Sequence, residues 1–210
     1  MTRELALSRT AEFLRCAMAV ALVSVALPVR AQAQQPQAKP AAAGAPDVVV
    51  YVGDLPATAL YELEAWKDPS SPGGKMVGVT NRGDELDPPP ENDPNATFNV
   101  RVQAGMPYRF WVRMKVGAPK GVSQANVLFV QFSGAVGDAL ALRTKDYLTL
   151  RGPAKEGWTW VGSDRTIQFK TSGEATVRIQ AGAEGVGFDQ VILSPARFLK
   201  TAPAETIVRK

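Results

Sequence analysis

Histidine is missing from this 210-residue chain, and cysteine occurs once, as Cys16. Those absences exclude a disulfide framework, a thiolate or imidazole zinc site, and any Ser-His or Cys-His nucleophile. Charge of either sign is also thin: 24 Lys and Arg stand against 20 Asp and Glu. No basic stripe with interleaved aromatics occurs, so nucleic acid is excluded as a partner. Long apolar runs are lacking too. The longest, residues 16–29, has about 14 residues, whereas a helix crossing a bilayer needs roughly 20. Beyond it there is no heptad, no internal repeat and no convincing helical period.

What is present begins with an address. Arg3, Arg9 and Arg15, the apolar run, and then Ala31-Gln32-Ala33 are the three parts of a secretory signal peptide spanning 1–33, cleaved near Ala33. Cys16 opens the apolar run rather than sitting at the cleavage site after it, so a lipid anchor is not expected. The mature chain is then secreted or periplasmic, with no membrane span. Residues 34–46, QQPQAKPAAAGAP, cannot build a core and read as a linker. One domain is expected over 47–199, followed by a polar, proline-punctuated flexible tail at 200–210.

Within that domain the plainest stretch is 165–194. Residues 167–170, 175–180 and 188–193 read as three short strands joined by two turns, an antiparallel sheet with a solvated side. In the middle one, Ala175, Val177 and Ile179 alternate with Thr176, Arg178 and Gln180. Upstream, 48–52 is a β-branched run expected to be buried on both faces. LYELEAW at 60–66 reads as one alternating strand, and 75–80 as the next. Strands at 97–103 and 108–115 surround Ala104-Gly105-Met106-Pro107 and read as a hairpin. The second places Tyr108, Phe110, Val112 and Met114 inward, with Arg109, Trp111, Arg113 and Lys115 outward. Residues 127–132, VLFVQF, form a central strand. Nine or ten short strands with turn clusters between them imply an all-β fold, a two-sheet antiparallel β sandwich of jelly-roll type.

Three other features stand between the strands. The segment 81–95 is long for a loop in a compact domain and carries Arg82-Gly83-Asp84, a tripeptide some adhesion receptors read and equally a glycine turn flanked by charges. Asn95-Ala96-Thr97 matches a glycosylation acceptor. Residues 135–164 have no clear period but hold Tyr147, Trp158 and Trp160 among glycines and charges.

FVQFSG at 129–134, GWTW at 157–160 and FDQVILS at 188–194 resemble the galactose-binding-like jelly rolls that serve as carbohydrate-binding modules in secreted bacterial proteins. DVVVY at 47–51 and PYRFWVR at 107–113 fit the same order along the chain. The resemblance implies a secreted, non-catalytic module that binds a glycan or polysaccharide. It also implies a structural calcium between the first and last strands, for which Asp54 and Asp189 match the acidic positions. The usual glutamate pair in the first strand is missing, since 48–53 contains no acid.

A pyranose is recognised by flat aromatic faces rimmed with polar groups. Trp158 and Trp160, two apart in a glycine-bounded loop, with Tyr147 and Asp164 near in sequence, are the candidate ligand-binding residues. The competing account has both tryptophans plugging the end of the sandwich as core. Catalysis is not expected. Glu62 and Glu64 would lie about 7 Å apart by strand rise, but the central aspartate of the sandwich glycosidases' E-x-D-x-x-E strand is absent. The alternative function is a cell-envelope or extracellular protein-interaction domain of the same fold. Tryptophans with accessible rings beside polar groups would favour the glycan, and a broad flat apolar patch the partner protein.

Overall fold

The computed structural model describes residues 46–79, 94–116, 126–136, 147–153, 157–182, 185–204 and 206–210. The expected signal peptide, nearly all of the linker, and the segment with Arg82-Gly83-Asp84 lie outside the described residues.

The strands are β1 Val48–Tyr51, β2 Leu60–Tyr61, β3 Glu64–Lys67, β4 Lys75–Gly78, β5 Asn95–Val102, β6 Arg109–Val116, β7 Val127–Phe132, β8 Leu148–Arg151, β9 Gly157–Gly162, β10 Gly173–Ala181 and β11 Val186–Ser194. They form two sheets, and every strand pairing is antiparallel. The six-stranded sheet runs β3-β4-β11-β6-β9, with β1 also on β11; the five-stranded sheet runs β2-β5-β10-β7-β8. The all-β sandwich expected from the sequence is the fold observed. Among the described residues no helix is long and apolar enough to cross a membrane.

Period-two alternation supplies the interior. Phe110, Val112 and Met114 of β6 and Val191 and Leu193 of β11 meet Phe98, Val100, Leu128, Val130, Phe132, Val177 and Ile179 from the other sheet in one buried cluster. Phe110 and Phe132 touch edge to face across the sandwich, with ring centroids 5.2 Å apart. A fully buried side chain of this size contributes about 1.5–3 kcal/mol.

Four expectations are corrected by the pairing. The stretch 165–194 is not one meander: β10 lies in the five-stranded sheet and β11 in the six-stranded one, while Ile167 and Phe169 make only isolated bridges. β5 and β6 are likewise in opposite sheets, so residues 104–107 cross the sandwich instead of closing a hairpin. The expected strand at 60–66 divides into β2 and β3, again in different sheets. The break falls at Glu62, which has φ 52, left-handed for a residue with a Cβ. β1 is half-buried along its length and not enclosed on both faces. Alternation specifies which face a residue occupies but is silent on which sheet its strand joins. Asn95 of the glycosylation match is buried within β5, paired with Tyr61 and Gln180.

The chain after β11 departs furthest from expectation. Phe198, inside the expected domain, and Val208, inside the tail expected to be flexible at 200–210, are both buried, packed with Trp111 and Ile192 on the outer face of the six-stranded sheet. The Val208 N–H donates to Gln190 Oε1 at 3.0 Å, and Gln190 Nε2 donates back to the Val208 carbonyl. The Tyr51 hydroxyl donates to that same carbonyl at 3.2 Å. Two apolar anchors among polar residues are enough to dock the segment once the sheet offers amide and phenol partners for its backbone.

Candidate functional site

β6 and β9 pair with Lys115 opposite Trp158, Arg113 opposite Trp160 and Trp111 opposite Gly162. Alternation puts all six on the outer face, away from the core. Gly162 is required there: a Cβ would stand 2.4 Å from the Trp111 ring. The glycine-bounded GWTW segment is therefore an edge strand and not a loop, and its two tryptophans do project to the same side. Both are half-buried.

Trp158 lies against cations. The Arg113 guanidinium carbon is 4.2 Å and the Lys115 ammonium 5.5 Å from its ring centroid. Its indole N–H donates to the Ser70 hydroxyl at 2.8 Å. Ser70 belongs to the turn after β3, where its own N–H and hydroxyl bond Asp68 Oδ1. Asp68 Oδ2 takes the Lys115 ammonium at 2.6 Å. Arg113 closes the cluster, donating to the Ser70 carbonyl at 3.2 Å and to Asp189 Oδ2.

Asp189 reaches this face because β11 carries a bulge between Phe188 and Gln190, which inserts one residue against the β6 register. Asp189 and Arg113 are 0% and 1% exposed. Burial pushes the Asp189 carboxyl up to about 7, against the downward pull of Ser71 and Arg113. Burial also draws Arg113 below its ordinary value. Asp68 moves the other way: hydrogen bonds from Lys115 and Ser70 hold it down at about 2. Asp189 Oδ1 and the Ser71 hydroxyl are buried and make no hydrogen bond beyond the loose approach through which Ser71 lowers the Asp189 carboxyl.

These residues do not fit the calcium that the resemblance implies. Asp189 already takes a guanidinium and Asp68 an ammonium, so a dication would find no carboxylate free of a cation in this cluster. Asp54 is exposed and lies 3.9 Å from the Lys210 ammonium. Among the described residues there is no group of three or more carboxylates, cysteines or histidines placed to hold a metal.

The other expected ligand residues separate. Tyr147 packs edge to face on Phe129, at 4.9 Å between centroids. Phe129 alternates away from the core on β7 and pairs with Gln180, so Tyr147 belongs to the outer side of the opposite sheet. Asp164 is exposed beyond the far end of β9, where its carbonyl accepts from Arg109. Sequence neighbourhood misled here because the chain crosses the sandwich between β8 and β9. Arg113 and Lys115 were readable as outward residues of an alternating strand. Asp68 and Ser70 lay hidden in a turn cluster, DPSSPGG. Glu62 and Glu64 do not form the pair that strand rise would give: Glu62 sits at the left-handed bend, and Glu64 accepts from the Trp66 indole at 3.4 Å.

No family model matches the chain, and no curated protein matches it. Solved structures do. The chain is similar to family 6 and family 35 carbohydrate binding modules. A family 35 module from Clostridium thermocellum superposes with a TM-score of 0.49 at 15% identity, covering 72% of this chain and all of that one. The CBM6cm-2 module of Cellvibrio mixtus lichenase 5A, solved with cellotriose, gives 0.47 at 14% identity over 70% of this chain and 95% of that one. For the Podospora anserina GH26-CBM35 β-(1,4)-mannanase the TM-score is 0.48 at 14% identity; 76% of this chain is covered, but only 28% of the mannanase.

Proposed function

We propose that the chain is a secreted, non-catalytic carbohydrate-binding module that takes a polysaccharide on the outer face of its six-stranded sheet, with Trp158 as the principal contact. One observation carries this reading. Trp158 and Trp160 stand half-open on the same side of an edge strand, and Trp158 is bordered by Arg113, Lys115, Asp68 and Ser70. An indole ringed by guanidinium, ammonium, carboxylate and hydroxyl groups offers a stacking surface for a pyranose together with donors and acceptors for its hydroxyls. The cluster is prearranged by its own hydrogen bonds, which lowers the ordering cost of binding. A protein-binding role is less well supported, since Tyr61 and Val136 are the exposed large apolar side chains among the described residues and make no broad patch.

The experiment is a titration of intrinsic tryptophan fluorescence with soluble plant and bacterial polysaccharides. One glycan is expected to give a saturable shift, which Trp158→Ala weakens at least tenfold, or about 1.4 kcal/mol, while the thermal transition persists. Unchanged affinity in that variant, or silence across the panel, refutes the assignment.

A further inference from the structure

The outer face of the six-stranded sheet continues past Trp160 to Trp111, Gln190 and Tyr51, and there the end of the chain covers it. Val208 is 2% exposed and packs with Trp111 and Ile192, in a cluster that Trp160 also touches. Its backbone is read in both directions by the Gln190 amide, which accepts from the N–H and donates to the carbonyl. Tyr51 adds a second donor to that carbonyl and accepts from the Lys210 N–H at 3.3 Å. Indole faces here stand beside an uncharged amide and a phenol, where those at Trp158 stand beside charged groups and a hydroxyl; both offer an aromatic surface with donors and acceptors, and here a valine and its peptide group occupy it.

The hold is local. Among the described residues of 206–210 Val208 alone is buried; Ile207 is half-buried, and Thr206, Arg209 and Lys210 are exposed. One buried aliphatic side chain and a few hydrogen bonds gain an amount of the same order as the conformational entropy lost in fixing so short a segment. A ligand that offers its own apolar face and hydroxyls to Trp111, Gln190 and Tyr51 could replace it without creating unpaired buried groups.

We infer that residues 206–210 are a displaceable strap lying over the continuation of the glycan site, and that polysaccharide segments long enough to extend past Trp160 compete with it. This inference rests on the glycan reading of Trp158 and adds a length-dependent control to that site. A ligand short enough to sit at Trp158 leaves the strap in place. A longer one gains the Trp160–Trp111 surface but must first displace Val208, so the strap reduces affinity for long segments alone.

The test compares the full chain with a form lacking residues 206–210 and with Val208→Asp in the untruncated chain, the latter placing a charge where the valine is buried. Short and long oligomers of the polysaccharide that binds the parent are titrated against each. Acrylamide quenching of tryptophan and a thermal transition are recorded alongside, so that only folded variants are scored. Both variants should quench more readily and bind the long oligomer about tenfold more tightly, with the short oligomer unaffected. Trp158→Ala should abolish both. Equal affinity of the long oligomer for parent and variants, with Trp158 still required, overturns the strap and leaves the glycan site standing. Quenching unchanged on removal of the segment overturns it as well. Absence of glycan binding in the parent and both variants removes the site and the competition together.

Discussion

Arg113 is the residue on which the candidate site turns. It balances Asp189 in a buried pair, bonds the Ser70 carbonyl, and lies over Trp158. Removing one partner of a buried pair leaves the other charge uncompensated. Arg113→Met is therefore expected to cost about 3–5 kcal/mol in urea unfolding, and replacing Asp189 by leucine in the same chain should recover much of that loss. The carboxylates also give the fold a characteristic pH dependence. Asp189 titrates near 7 in the folded state against an ordinary 3.8, so the folded form holds more protons across that window and stability declines as pH rises through it. Asp68, held near 2, stabilises above the ordinary carboxylate range, and that contribution is lost as pH falls toward 2. The urea midpoint should thus be highest on the acid side of neutrality, and Asp189→Asn should flatten its decline toward pH 7 whatever the absolute loss. A midpoint rising from pH 4 to 7 in the parent would contradict the burial argument.

At the scale of elements, close backbone approach beneath the aromatic rings matters as much as side-chain identity. Trp111 rests on Gly162 of β9, and Trp66 rests on Gly78 of β4, where a Cβ would stand 2.7 Å from the ring. Gly162→Ala should force the Trp111 ring aside, costing about 1–3 kcal/mol and shifting tryptophan emission; an unshifted spectrum at full stability would show that the ring has room to spare. The same scale explains what could be read in advance. β5, β6, β7, β10 and β11 were legible because alternating apolar residues mark any strand with one face inside. β9 was not, because all six of its residues are half-buried and glycines bound it. Sheet membership was illegible throughout, since β3–β4 and β7–β8 are the only paired strands that follow one another in the chain among those described. Hence Trp158 and Trp160, two apart in the sequence, share one side as alternation requires, while Tyr147, near them in the chain, lies against Phe129 of the opposite sheet. The Asp68 and Ser70 contacts come from a turn whose composition announces only that it bends.

For the whole molecule, the tryptophans are unevenly placed. Trp66, Trp111, Trp158 and Trp160 all lie on the six-stranded sheet, in β3, β6 and β9. Fluorescence therefore reports that sheet, whereas far-ultraviolet dichroism reports both. Contacts such as Phe110 on Phe132 tie the sheets together, so the two signals should trace one coincident transition. Phe132→Ala, a change in the sheet without tryptophan, should lower the fluorescence midpoint by the equivalent of about 3–5 kcal/mol. Separate transitions, or an unmoved fluorescence midpoint, would mean that the sheets melt independently.

The pairing of β1 with β11 reaches beyond stability. Val48 lies opposite Leu193, and β11 also supplies the neighbour that β4 and β6 need. At a synthesis rate of about 5–20 residues per second, the interval between making β1 and making β11 is roughly 7–30 s. Throughout that interval the nascent six-stranded sheet lacks its organising strand. Its β-branched edges stay open to chaperones and to aggregation, and assembly waits until β11 has left the ribosome.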